Sequence, residues 1–121
     1  MKIRKPTEKN TTLLRKKCDK LWSKAVRSDW AGRCAVCGKE ATEAHHLVPR
    51  QYYATRHDLL NGVALCTYDH IWNKQVAPHA HGSAWEKWLR DHHYARYVWC
   101  QEHDRPIFHG KKTAEYYISV I

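Results

Sequence analysis

Leu14, Cys18, Leu21, Trp22, Ala25 and Val26 recur at spacings of three and four, which is the apolar stripe of an amphipathic helix. The spacing predicts a helix over residues 11–31, opened by Thr11 or Thr12 as cap and stopped by Gly32. Its other face carries Arg15, Lys16, Lys20, Lys24 and Arg27, a pattern that fits a merely solvated surface as well as a phosphate-facing one. Ahead of the helix, residues 1–10 hold four positive charges, one proline and little that could be buried, so they are expected to form a flexible basic arm. After Gly32 the helical period stops. Residues 33–70 are short, punctuated segments, of which 41–48 and 63–65 read as brief strands. Ser83 is placed to cap a second helix with Trp85, Trp88, Leu89, His92 and Ala95 or Arg96 along one side. The tail turns at His109-Gly110, and Thr113 through Val120 reads as a last helix, with strand as the alternative for its β-branched end. No internal repeat interrupts this order. The expectation is an α+β fold in one domain over residues 11–121: a helix (11–31), a Cys/His-rich core (32–76) and a C-terminal helical region (83–121).

Charge narrows the partner. Lys and Arg number 21 against 12 Asp and Glu, a formal surplus of +9 before any of the 10 histidines is protonated. Such a surplus favours a polyanion, through attraction to phosphates and release of their counterions, with nucleic acid ahead of an anionic membrane surface. No apolar run is long enough to span a bilayer, and the basic start is not followed by a signal-like apolar stretch, so a soluble, cytoplasmic protein with no membrane partner is expected. Five cysteines, an odd number, then read as metal ligands and buried thiols rather than disulfides. Six Trp and seven Tyr against one Phe make a core that a structural metal would help to hold. Trp72, Trp85, Trp88 and Trp99 are expected in that core, and Cys18 and Cys100 as buried thiols on helical faces.

Cys34-x2-Cys37-Gly38 has the form of a zinc knuckle, in which two thiolates on a tight turn grip one side of a tetrahedral ion. Cys66 is the natural third ligand. Where a fourth cysteine would complete the set, the chain has Asp69, whose carboxylate can bind Zn²⁺ at about the distance of an imidazole. A neighbouring histidine as fourth ligand, or a knuckle that persists without metal, are the other readings.

Between the halves of that cluster lie Ala44-His45-His46-Leu47-Val48-Pro49-Arg50, then Asp58-Leu59-Leu60-Asn61-Gly62, then Leu65-Cys66-Thr67-Tyr68-Asp69-His70. The doubled His, the Pro three residues later, the central Asn and the last His nine residues beyond it together resemble the HNH endonuclease family. That resemblance spans about residues 30–75. It implies a small ββα-metal core with a structural zinc site, flanked by N- and C-terminal helices. It implies further that His45 and His70 ligate one divalent ion (Mg²⁺ or Mn²⁺), that His46 acts as general base, and that Asn61 accepts a hydrogen bond from it and holds the loop. Some relatives carry a third ligand four residues past the last His; Lys74 stands there, leaving two protein ligands or recruitment of Asn73, His79 or His81.

Phosphodiester hydrolysis asks for such groups on its own terms: an activated water, neutralised phosphate charge and a stabilised leaving oxygen. Two imidazoles converging from a strand end and a helix start would leave open positions for water and DNA, and a third, on the opposite face of an extended segment, could take a proton near neutral pH. Arg50, Arg56 and Lys74 flank this centre, and with Lys20, Lys24 and Arg27 they are the candidate DNA contacts. The expected function is metal-dependent DNA cleavage. The arrangement is also similar to small phage HNH proteins, including NinG-like (Rap-like) recombination nucleases acting on branched DNA such as Holliday junctions. That likeness implies a phage-encoded protein working in a bacterial cell, as a homodimer or beside recombination or packaging proteins. The competing expectations are a zinc-stabilised DNA-binding module without catalysis and a protein-interaction adaptor that uses its Trp-rich helix.

Overall fold

The computed structural model describes residues 8–79, 82–104 and Tyr117. The elements run α1 (Glu8–Asp29), β1 (Glu43–His46), a 3₁₀ turn (Leu59–Asn61), β2 (Gly62–Leu65), a π-helical turn (Tyr68–Trp72), α2 (Gly82–His92) and α3 (Tyr94–His103). The fold is small and α+β, as the residue pattern implies. Helix α1 begins at Glu8 rather than at Thr11, because neither Gly nor Pro stands between those positions to stop it. It ends as the glycine predicts. Ala31 and Gly32 both adopt left-handed backbone, φ 56° and 71°, and the Gly32 amide returns to the Arg27 carbonyl at 2.7 Å.

The two strands pair antiparallel with Glu43 opposite Leu65, Ala44 opposite Ala64, His45 opposite Val63 and His46 opposite Gly62. All four residues of β2 are buried, whereas β1 is half-buried throughout, so the sheet turns β2 inward and leaves β1 at the edge of a cleft. Val26 and Trp22 of α1 lie directly over Gly62: a Cβ there would overlap the Val26 methyls and stand 3.0 Å from Trp22 Cζ2. The glycine following Asn61 is therefore required by close helix-on-strand approach. Cys34, Val63, Leu65 and Trp85 form a buried cluster, with Trp30, Leu47 and Trp88 packed against it.

The element after β2 departs from expectation. A ββα core calls for an α-helix there, but the chain makes a five-residue π-helical turn, closed by the Asn73 amide on the Tyr68 carbonyl at 2.7 Å. Asn73 then extends, φ −63° and ψ 111°, and its side chain accepts from the Gln75 amide, which ends the turn. The C-terminal region also differs: one periodic stripe is broken at His93 into α2 and α3. Arg96 of α3 donates to the carbonyls of Leu60 and Gly62 at 2.8 and 3.0 Å and to Asp29 at 3.2 Å, fastening α3 to the start of β2 and to the end of α1. Trp72, placed in the core by the sequence reading, is 67% exposed, because its five-residue turn is too short to present a second buried face. Cys18 and Trp85 are buried as expected, and Trp88 and Cys100 partly so. Among the described residues no helix is long and apolar enough to cross a membrane. Of the arm expected over residues 1–10, residues 8–10 belong to α1 instead, and residues 1–7 lie outside the described residues, as do His81 and the final helix or strand apart from Tyr117, which is buried.

Candidate metal centres and catalytic cleft

The knuckle is shaped by backbone first. Gly38 takes φ 75° and returns its amide to the Cys34 carbonyl at 2.9 Å, while the Ala35 amide donates to Ala64 of β2. Cys34 and Cys37 are thereby hung on the sheet, and Cys66 follows directly from β2. Asp69 arrives from the π turn. The four ligand atoms all lie within 4.8 Å of one another. Cys37 and Cys66 sulfurs are 3.8 Å apart, the edge of a tetrahedron with metal–sulfur bonds of about 2.3 Å. Asp69 Oδ2 accepts from the Cys34 and Cys66 thiols at 3.1 and 3.2 Å, and Asn73 Nδ2 donates to its other oxygen at 2.8 Å. A carboxylate whose far oxygen is tied down presents the near one, as an oriented metal ligand does. Cys34, Cys37, Cys66 and Asp69 thus form a closed Cys₃Asp cluster that could hold a metal such as zinc. Asn73, considered above for the histidine centre, serves this one instead.

The second cluster is built from His45 on β1, His70 on the π turn and His79 beyond it. His45 Nδ1 stands 3.0 Å from His70 Nε2, and His79 Nε2 stands 2.8 Å from the same nitrogen. On the far side of the His70 ring, Nδ1 lies 3.0 Å from a Glu43 oxygen. An ionised carboxylate only accepts, so His70 Nδ1 carries the proton and Nε2 offers a lone pair. That single lone pair faces two other ring nitrogens. One N–H donor can satisfy it, two cannot, and a cation at the meeting point satisfies all three. Burial, followed by the neighbouring imidazoles, pushes His45 down to about 3, and burial likewise lowers His79, so both stay neutral and able to ligate at neutral pH. Adjacent residues of one turn thus serve different clusters, Asp69 the cysteines and His70 the histidines; the π geometry turns both inward.

His46 points elsewhere. Its ring stacks on Trp22 with centroids 3.9 Å apart and planes 10° from parallel, and Nε2 lies 2.9 Å from the Arg56 carbonyl. A carbonyl can only accept, so Nε2 holds the proton and Nδ1 is left with the lone pair. Burial outweighs the Arg56 carbonyl bond and pushes this histidine down to about 4, so it is neutral but a weaker proton acceptor than the near-neutral base expected from the sequence. His45, His46, His70 and His79 nonetheless line one open cavity of about 590 Å³ with Arg50, Gln51 and Trp85.

Asn61 is fully buried and works on the loop alone: Oδ1 accepts from the Val48 amide at 2.6 Å, and Nδ2 donates to the Val48 and Thr55 carbonyls at 3.0 and 3.1 Å. It makes no hydrogen bond to His46, whose partner is the Arg56 carbonyl at the end of the same loop. Of the candidate DNA contacts, Arg50 reaches the cavity, and Lys20, Lys24 and Lys74 are exposed away from its lining. Arg27 turns its Nε onto the Ser23 carbonyl at 3.3 Å. Arg56 spends its guanidinium on Asp19 at 2.7 and 2.8 Å and on the Arg50 carbonyl at 3.2 Å. Sequence reasoning missed Glu43 and Asp19. Glu43 carried a signal, lying two residues before His45 and so on the same face of a strand; Asp19 carried none within the helix period.

No model of a known protein family matches the chain, and neither the curated proteins nor the solved structures contain a match.

Proposed function

We propose that the chain is a metal-dependent DNA endonuclease of the HNH type. The observation that carries this reading is the meeting, in one open cavity, of a three-imidazole cluster backed by Glu43 with a separate histidine whose proton position is set by a carbonyl. A site with three protein ligands and an open side is catalytic in form, whereas the Cys₃Asp cluster is closed and structural in form. Three imidazole nitrogens suit a transition ion such as Zn²⁺, Ni²⁺ or Co²⁺ better than the Mg²⁺ or Mn²⁺ expected from the family, because those harder ions prefer oxygen. An ion held there would supply charge neutralisation on the phosphate and on the departing oxygen.

The chain's own residues do the rest. His46 Nδ1 accepts a proton from water as the water oxygen bonds to phosphorus and the bond from phosphorus to the leaving sugar oxygen breaks. The Trp22 stack and the Arg56 carbonyl hold that ring in place. Asn61 pins the loop that carries Arg56, and Arg50 at the cavity wall offsets phosphate charge. The surplus of +9 gives the chain its affinity for a polyanion.

The test is cleavage of labelled linear duplex and four-way-junction DNA by zinc-loaded protein with Mg²⁺, Mn²⁺, Ni²⁺, Co²⁺ or chelator, comparing wild type with His46→Ala. The reading expects ion-dependent cutting that falls by 100-fold or more, on the order of a general-base contribution, while DNA binding persists. Equal cutting by both proteins removes His46 as base. No cutting under any ion, with salt-sensitive binding by both, leaves a DNA-binding module instead.

A further inference from the structure

A second cavity, of about 510 Å³, lies between α1 and the loop that follows β1. Its walls carry Arg15, Lys16, Arg50 and Arg56 against a single acid, Asp19. That acid is already spent: Arg56 holds it with two nitrogens at 2.7 and 2.8 Å, and His57 Nε2 lies 2.6 Å away. Arg15, Lys16 and Arg50 enter no ion pair among the described residues. Arg15 sits with its guanidinium 5.8 Å over the Tyr53 ring, and its Nε is buried without a hydrogen-bond partner. Three cations on one cavity wall with no free acid to pair them are served best by an anionic oxygen.

The position of the cavity identifies the anion. Arg50 and Gln51 line both this cavity and the one that holds the four histidines, so the two share a wall. Building on the nuclease reading, we propose that the Arg15–Lys16–Arg50 cavity holds a backbone phosphate of the same DNA strand, beside the phosphate that is cut. The substrate is then a strand extending at least one phosphate past the scissile bond, and Arg15 and Lys16 are positioning residues for it. The basic face of α1 is divided: residues 15 and 16 face the strand, while Lys20 and Lys24 line neither cavity.

Two measurements separate this proposal from the nuclease reading. Binding of a labelled duplex is followed by fluorescence anisotropy between 0.05 and 0.2 M salt, on a His46→Ala background so that no strand is cut. Loss of one phosphate contact in R15Q/K16Q should lower the slope of log affinity against log salt by about 0.9, and weaken binding about 8-fold at about 0.1 M salt. Lys16 is exposed, so K16Q alone, which disturbs no packing, should move in the same direction. K87Q/R90Q, an equal loss of charge on exposed positions of α2, should change the slope less. An unchanged slope in both R15Q/K16Q and K16Q, or an equal fall in K87Q/R90Q, overturns the proposal whether or not the protein cuts DNA. In the cutting arm, hydrolysis of bis(4-nitrophenyl) phosphate, a diester with no neighbouring phosphate, should be the same in R15Q/K16Q as in wild type while DNA cleavage at low substrate falls about 8-fold. Equal loss on both substrates would assign the two residues to the catalytic centre and overturn the positioning role.

Discussion

Glu43 and Asp19 do their work through the side chains they hold. Glu43 fixes the proton of His70 on Nδ1, and a histidine held this way by a carboxylate is a more basic and better-aimed ligand. Glu43→Gln keeps the shape and removes the charge. It is expected to weaken Co²⁺ binding at the histidine cluster by 10- to 100-fold, on the order reported for such supporting groups, read from the absorbance of the bound ion, with the melting midpoint little changed. Asp19 is a stability residue. Burial alone would raise its pKa, but the hydrogen bonds from Arg56 and His57 win and hold the carboxyl well below the usual carboxylate range. A depressed folded-state pKa contributes stability above the unfolded value, about 3.9, and that contribution is lost as pH falls toward the folded one. Asp19→Asn should therefore cost about 1.5–3 kcal/mol near neutral pH in urea unfolding, and the gap between variant and wild type should close as pH drops below about 4. A gap that stays constant with pH would mean that Asp19 contributes through packing alone.

At the scale of elements, Gly62 is where helix and sheet meet. Gly62→Ala drives a methyl into Val26 and Trp22, and the cost should be about 1–3 kcal/mol of stability with an unchanged denaturant slope. Because Trp22 also stacks on His46, the proposed nuclease reading expects the same variant to lose cleavage activity beyond what its unfolded fraction explains. The helical period of α1, its stop at Gly32 and the two strands were legible in the sequence, since apolar spacing and turn chemistry are local signals. The close approach at Gly62 was not, because nothing within the strand says which helix will cross it. The π turn was equally hidden: Tyr68–Trp72 spans little more than one helical turn, too few residues to display a repeating pattern, and its form follows from Asp69 and His70 having to reach two different clusters. Likewise the break at His93 falls inside an uninterrupted stripe and contains neither Gly nor Pro. For the site itself, the ligand residue types and the order His45, His46, His70 could be read directly. The choice of His79 and the backing by Glu43 needed the fold.

For the whole molecule, two strands of four residues make a sheet too small to be stable by itself, so the cross-links around it decide stability. The Cys₃Asp cluster joins the knuckle loop, the end of β2 and the π turn, and Cys34 belongs to the buried cluster with Val63, Leu65 and Trp85. Zinc bound there and not to the unfolded chain adds about 2.7 kcal/mol at a free concentration 100-fold above its Kd, or roughly 10 °C in melting midpoint for a chain of this size. A strong chelator should therefore lower the midpoint by about that much, with far-UV dichroism and tryptophan fluorescence moving together because the ligands sit in the same core as Trp85. Cys37→Ser should reproduce most of the effect and make the protein insensitive to chelator. His79→Ala should leave it in place, since that ligand is exposed and ties nothing to the core. On the proposed nuclease reading, stability depends on the cysteine cluster and cleavage on the histidine cluster, and graded chelation should remove cleavage before it melts the fold, because an open three-nitrogen site would bind its ion less tightly than a closed thiolate one. Melting and loss of cleavage at the same chelator concentration would show instead that the two clusters load as one unit, coupled through the shared turn that carries Asp69 and His70.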